Sequence, residues 1–178
     1  MAGVSQDELV GTLTRSDEYI RLRVAQAYRE VLGREPEPAG AAGWLAAIRA
    51  GHATVDDAQR RFLDSAEFFQ RSGGTPQGYV SRLYATVLGR TAGAAEVRHW
   101  TDQMARIGRG GVADSIWFSV EAARIRAGAY YGTFLQRQPD PAGRDGWARV
   151  LLTRGEGAVR QGIAGSAEYR QRAIARFP

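Results

Sequence analysis

Val24-Ala25-Gln26-Ala27-Tyr28-Arg29-Glu30-Val31-Leu32-Gly33-Arg34 decides the fold of this chain, together with Trp44 eleven residues past Gly33 and Ser65-Ala66-Glu67 beyond it. The same markers return in the same order. Val80-Ser81-Arg82-Leu83-Tyr84-Ala85-Thr86-Val87-Leu88-Gly89-Arg90 precedes Trp100 and Ser119-Val120-Glu121. Ala127-Gly128-Ala129-Tyr130-Tyr131-Gly132-Thr133-Phe134-Leu135-Gln136-Arg137 precedes Trp147 and Ser166-Ala167-Glu168. The tryptophans lie 56 and 47 residues apart. Ordered self-similarity of this period is the signature of a repeat architecture.

Each piece reads as helix. Val24, Ala27, Tyr28, Val31 and Leu32 fall at i, i+3, i+4, i+7 and i+8, a single apolar stripe. Gly33 and Gly89 stand where a left-handed residue ends a helix. Asp140-Pro141 supplies an N-cap and a first helical residue, and Thr54-Val55-Asp56-Asp57 has the form of a capping box. Trp44 with Ile48, Trp100 with Met104 and Trp147 with Leu151 share i, i+4 spacing, so the indoles are expected to be largely buried. No stretch alternates with period two. Arg71–Gly78 and Ile107–Gly111 read as loops. The expected fold is all-α: a leading half-repeat helix over 5–18, then three-helix repeats over 19–72, 73–128 and 129–178, sharing one continuous core. The half-repeat rests on Ser16-Asp17-Glu18, a fourth Ser-x-Glu without an upstream tryptophan, and on Leu13, in register with Phe62, Ile116 and Ile163.

The chain has 178 residues, 22 glycines and no cysteine. Disulfides, thiol catalysis and cysteine zinc sites are thereby excluded. No apolar run is long enough to span a membrane, and no signal-peptide h-region follows the N-terminus. All 24 basic residues are arginine, and the net charge is +5. The charge is uneven: residues 1–72 carry 9 arginines and 11 acids, whereas residues 129–178 carry 8 and 4. Such a surface steers an anionic partner.

Arg34, Arg90 and Arg137 with Glu67, Glu121 and Glu168 could form a charged active constellation. They recur once per repeat, so structural ion pairs are the more economical reading. The serine before each glutamate suits a cap better than a nucleophile, because no histidine recurs to act as its base. His52 and His99 are not at ligand spacing, and no metal site is expected. Asp140 and Asp145 lack the spaced acidic loop of a calcium site. The tryptophans suit a core better than sugar stacking. Gly108-Arg109-Gly110-Gly111 lacks the preceding strand of a phosphate loop. Phe118 stands out, because Asp64, Gly165 and Arg15 occupy the matching positions. With Arg124 and Arg126 nearby, it is the candidate contact surface; packing against a neighbouring repeat is the alternative.

The pattern Tyr-x-x-Val-Leu-Gly-Arg, then Pro-Asp-Pro-Ala-Gly-x-x-x-Trp, then Ser-Ala-Glu-Phe/Tyr resembles the DUF4214 family, a bacterial domain of unknown function. The resemblance runs from about Ser5 to Arg172. The family is similar in sequence logic to the helical phycobilisome linker domain. The resemblance implies a helical, non-catalytic module of secreted or cell-surface proteins. The middle repeat departs from it with Thr91-Ala92-Gly93-Ala94-Ala95-Glu96 in place of the Pro-Asp turn. The expected function is binding or scaffolding without enzymatic activity or cofactor, with a cell-surface glycan or a protein, favoured to be acidic, as partner. Sequence-independent binding of nucleic acid by the arginine-rich face is the alternative.

Overall fold

The computed structural model describes residues 16–176, and the side chains of 16–172. All regular structure among these residues is helical. The elements are α1 (Asp17–Ala27, continuing as a π-turn over Tyr28–Leu32), α2 (Pro38–Arg49), α3 (Val55–Asp64), α4 (Ala66–Arg71) and α5 (Pro76–Leu83, continuing as a π-turn over Tyr84–Leu88). They are followed by α6 (Ala94–Trp117), α7 (Val120–Leu135), α8 (Pro141–Ala164) and α9 (Ala167–Arg176). No described helix is long and apolar enough to cross a membrane.

Local chemistry sets the boundaries. Ser65 Oγ donates to the Phe62 carbonyl at 2.7 Å and accepts from the Phe68 N–H at 3.1 Å, turning α3 into α4. Ser166 does the same between α8 and α9, donating to Ile163 and accepting from Tyr169. Ser16 and Ser119 cap α1 and α7. Asp140 caps α8 by accepting from Gly143 N–H at 2.9 Å, with Pro141 in the first turn. Thr54 and Asp57 exchange both bonds of a capping box. Gly33 and Gly89 are left-handed at φ 67° and 64°, and Gln136 takes the same conformation at φ 50°.

Ser16 caps α1, which runs on without a break to Leu32. The remainder of the expected leading helix, with Leu13, lies outside the described residues. One expectation is corrected here: residues 107–111 are not a loop. Helix flanks both sides of Gly108, whose φ 71° and ψ 176° kink α6. Gly155 (φ 77°, ψ 173°) breaks α8 in the same way. A lone glycine in that region turns the chain without a loop.

The chain divides into two compact units, residues 16–117 and 118–178 among those described. In the first, α1 packs on α2 and α3, α3 on α6, and α5 on α6, around buried Val24, Leu63, Phe68, Tyr79 and Val112. In the second, α7 lies along α8 with α9 against both, around Tyr131, Leu135, Leu151, Val159 and Ile163.

The glycine breaks carry a prediction. A Cβ at Gly155 would meet nothing within 4 Å, so only backbone strain opposes a side chain. Gly155→Ala should cost about 1–3 kcal/mol. Gly157→Ala, two residues on in ordinary helix with equally open space, should stabilise by about 0.5–1 kcal/mol. Thermal unfolding of the two variants reads the difference. Equal melting temperatures would show that the break is not held by glycine.

Candidate functional site

Three side-chain clusters share one design. Trp147 donates its indole N–H to the Tyr131 hydroxyl at 3.0 Å, and the Arg137 guanidinium lies 4.9 Å from the Tyr131 ring centre. Arg137 forks onto Glu168 at 2.6 and 2.7 Å. Trp44 hydrogen-bonds Tyr28, Arg34 covers that ring at 5.0 Å, and Arg34 forks onto Glu67 at 2.7 and 2.8 Å. Trp100 donates to Tyr84 at 2.8 Å, with Arg90 over the ring at 4.9 Å. Arg90 forks onto Glu96 at 2.8 and 2.9 Å.

The middle cluster has a local carboxylate of its own. Gly40 and Gly143 leave room for the tyrosine hydroxyl, and a Cβ at either would crowd Tyr28 or Tyr131. Glu96 stands at the matching place, 47 residues before Gly143. Its carboxylate accepts from Arg90 and from the Gly93 N–H at 2.7 Å. The glutamate thus makes the reciprocal half of a capping box, satisfying the N–H of the residue before α6, whereas Asp140 satisfies an N–H in the first turn of α8.

Trp44, Trp100 and Trp147 are partly buried, and none is exposed. Their N–H groups reach tyrosine hydroxyls at the edge of the core. A Cβ at Gly162 would run into the ring of Trp147.

Arginine contact holds the Glu67 and Glu168 carboxyls below their ordinary range, through Arg34 and Arg137 respectively. Glu96 is brought down to about 2, first by Arg90 and then by the Gly93 N–H. These groups bind protons more readily when unfolded, so they stabilise the fold above the ordinary carboxylate value. That contribution should fade as pH drops from 4.5 toward about 2. Arg90→Gln should move the Glu96 titration, followed by carboxyl NMR, back toward the ordinary value. A Glu96 midpoint already at that value in the unaltered protein would refute the ion pair.

The three residues of the expected contact surface lie differently. Phe118 is 53% exposed. Arg124 is on the surface, forked onto Asp145 at 2.7 and 3.0 Å, which lowers the Asp145 carboxyl. Arg126 is a correction: its side chain is only 14% exposed and reaches Glu156, 3.4 Å away. Position 126 is two residues past Arg124, about 200° around the helix, so the two cannot share one face.

Residues that sequence reasoning passed over are gathered in the 118–178 unit. Glu156 is buried directly after the Gly155 break and also meets Arg160 at 3.3 Å. A groove of about 290 Å³ runs between α7 and α8, lined by Val120, Arg124, Asp145, Ala148, Arg149, Leu152 and Thr153. Val120 and Arg124 are i, i+4 neighbours, as are Asp145 with Arg149 and Ala148 with Leu152. That spacing was visible in the sequence, whereas the facing of the two helices was not. Elsewhere, His99 packs edge-on against Trp100. Among the described residues no three His, Asp or Glu side chains gather as a metal cluster.

The family model for DUF4214, a domain of unknown function, matches residues 58–125. Residues 58–125 are a DUF4214 domain. The DUF4214 match takes in α3 through α6 and the first turn of α7, and with them the Tyr84–Trp100–Arg90 cluster and the Gly108 break. No curated protein and no solved structure matches the chain significantly.

Proposed function

We propose that this DUF4214 protein is a non-catalytic binding module that engages an acidic protein partner through residues 118–178. One observation carries the reading. Arg144, Arg149, Arg154 and Arg170 are exposed and form no salt bridge among the described residues. Residues 118–178 hold 10 arginines against 5 acids, a net +5, whereas residues 16–117 hold 13 against 12. Unpaired exposed guanidiniums attract anions and raise association rates.

The repeat arrangement belongs to the same reading: three versions of one helical unit, marked by the Tyr–Trp–Arg clusters and the serine caps. In it the strongly recurrent side chains serve packing, capping and ion pairing. Function then falls to what does not recur. Enzymatic activity is not expected, because the recurrent serines are engaged as caps and no histidine sits beside them. A cell-surface glycan and nucleic acid remain the competing anionic partners.

The test is binding of the full chain to oligoglutamate, heparin, single-stranded DNA and a neutral oligosaccharide, at low and high salt. Oligoglutamate should bind salt-sensitively, and Arg144→Glu with Arg149→Glu and Arg154→Glu should weaken it at least about tenfold. Retention of every anionic probe by this variant would overturn the reading. Preference for DNA, with a steep salt dependence, would favour the nucleic-acid alternative.

A further inference from the structure

We propose that the groove between α7 and α8 seats one bulky apolar side chain of an acidic protein segment. This rests on the acidic-partner reading and specifies its contact. The floor is carbon: Val120, Ala148 and Leu152. Val120 is 52% exposed, an open apolar surface at the first turn of α7. The rim is polar and lopsided. Arg124 and Asp145 neutralise one another, and Arg149 is exposed with no salt bridge among the described residues. The unspent charge at the groove is therefore positive.

Size and chemistry select the occupant. About 290 Å³ falls just below the roughly 300–1,000 Å³ of small-molecule sites, and suits one anchoring side chain. The lining holds no aromatic ring, so it offers neither a sugar-stacking face nor a base-stacking platform. A second copy of this unit would bring another net +5 and be repelled. An acidic segment with an apolar anchor satisfies both the floor and Arg149. Nothing comparable stands at matching places earlier in the chain. Arg98 and Asp102 occupy the positions of Asp145 and Arg149 with charges reversed, and Ala66 that of Val120.

The experiment uses the full chain and fluorescein-labelled oligoglutamate peptides carrying one central leucine, phenylalanine or tryptophan, against an alanine-centred counterpart. Fluorescence anisotropy should show the anchored peptides binding about tenfold tighter or better. Val120→Asp should erase that advantage while circular dichroism and melting temperature stay unchanged, because Val120 is exposed. Leu152→Ala should reduce it. Arg149→Glu should weaken anchored and alanine-centred peptides alike. An anchor advantage that survives Val120→Asp and Leu152→Ala would overturn the proposal. So would salt-sensitive binding with no anchor advantage, a result that leaves the acidic-partner reading standing. Val120-dependent binding of heparin or single-stranded DNA without the peptide would assign the groove to another occupant and also overturn it. Failure of every anionic probe would remove the acidic-partner reading itself.

Discussion

Glu156→Ala should cost about 3–5 kcal/mol of folding free energy, because it strips the carboxylate from between two largely buried guanidiniums. The Glu156 side chain is 3% exposed, Arg126 14% and Arg160 13%. Their separations of 3.4 and 3.3 Å are long for charge-assisted bonds. Removing one member of such a group takes a close counter-charge away from buried charge. Replacing all three is a different operation. Arg126→Met with Glu156→Leu and Arg160→Met removes the desolvation cost together with the attraction, and should return stability close to the starting value. Urea unfolding of the single and triple variants measures both. A loss below about 1 kcal/mol for Glu156→Ala would mean that water reaches these charges.

That cluster marks where the sequence stops being readable. Caps and turns were legible because their chemistry is local: Ser65, Thr54 and Asp140 each answer an N–H three residues away. The all-helical fold followed from periodicity. Helix breaks were not legible, because Gly108 and Gly155 are two glycines among 22 and a left-handed one looks like any other in a sequence. The i, i+4 spacing of the indoles is the same for a core residue and for one at the core's edge, so it did not say that their N–H groups reach tyrosine hydroxyls. Arg126 was misplaced because exposure was assigned to charge by default. Its burial depends on Glu156, 30 residues away, which only tertiary packing brings near. The groove had the same difficulty, since its two walls come from separate helices.

Tyr79→Ala should be the most damaging change in residues 16–117, at about 3–5 kcal/mol for the ring with a further contribution from the hydroxyl. The residue is fully buried, with Phe68 edge-on at 5.7 Å. Its hydroxyl proton is offered to the carbonyls of Leu63 at 3.0 Å and Arg109 at 3.2 Å, and burial pushes the phenol pKa up. One atom thus ties the end of α3 to the start of the second half of α6. Tyr79→Phe should isolate that tie at about 1–3 kcal/mol, since the buried Leu63 carbonyl and the part-buried Arg109 carbonyl lose the hydroxyl. Arg126 and Glu156 lie 47 residues beyond Tyr79 and Arg109, the same interval that separates Trp100 from Trp147. At that interval a neutral hydroxyl stands in one place and an ion cluster in the other. If the two places are equivalent, Tyr79→Arg alone should be strongly destabilising, and adding Arg109→Glu should recover a substantial part of the loss. Double-mutant analysis of urea unfolding reads the coupling directly. A coupling near zero would show that the matching interval reflects sequence alone, and that the two places are different solutions to burying a helix start.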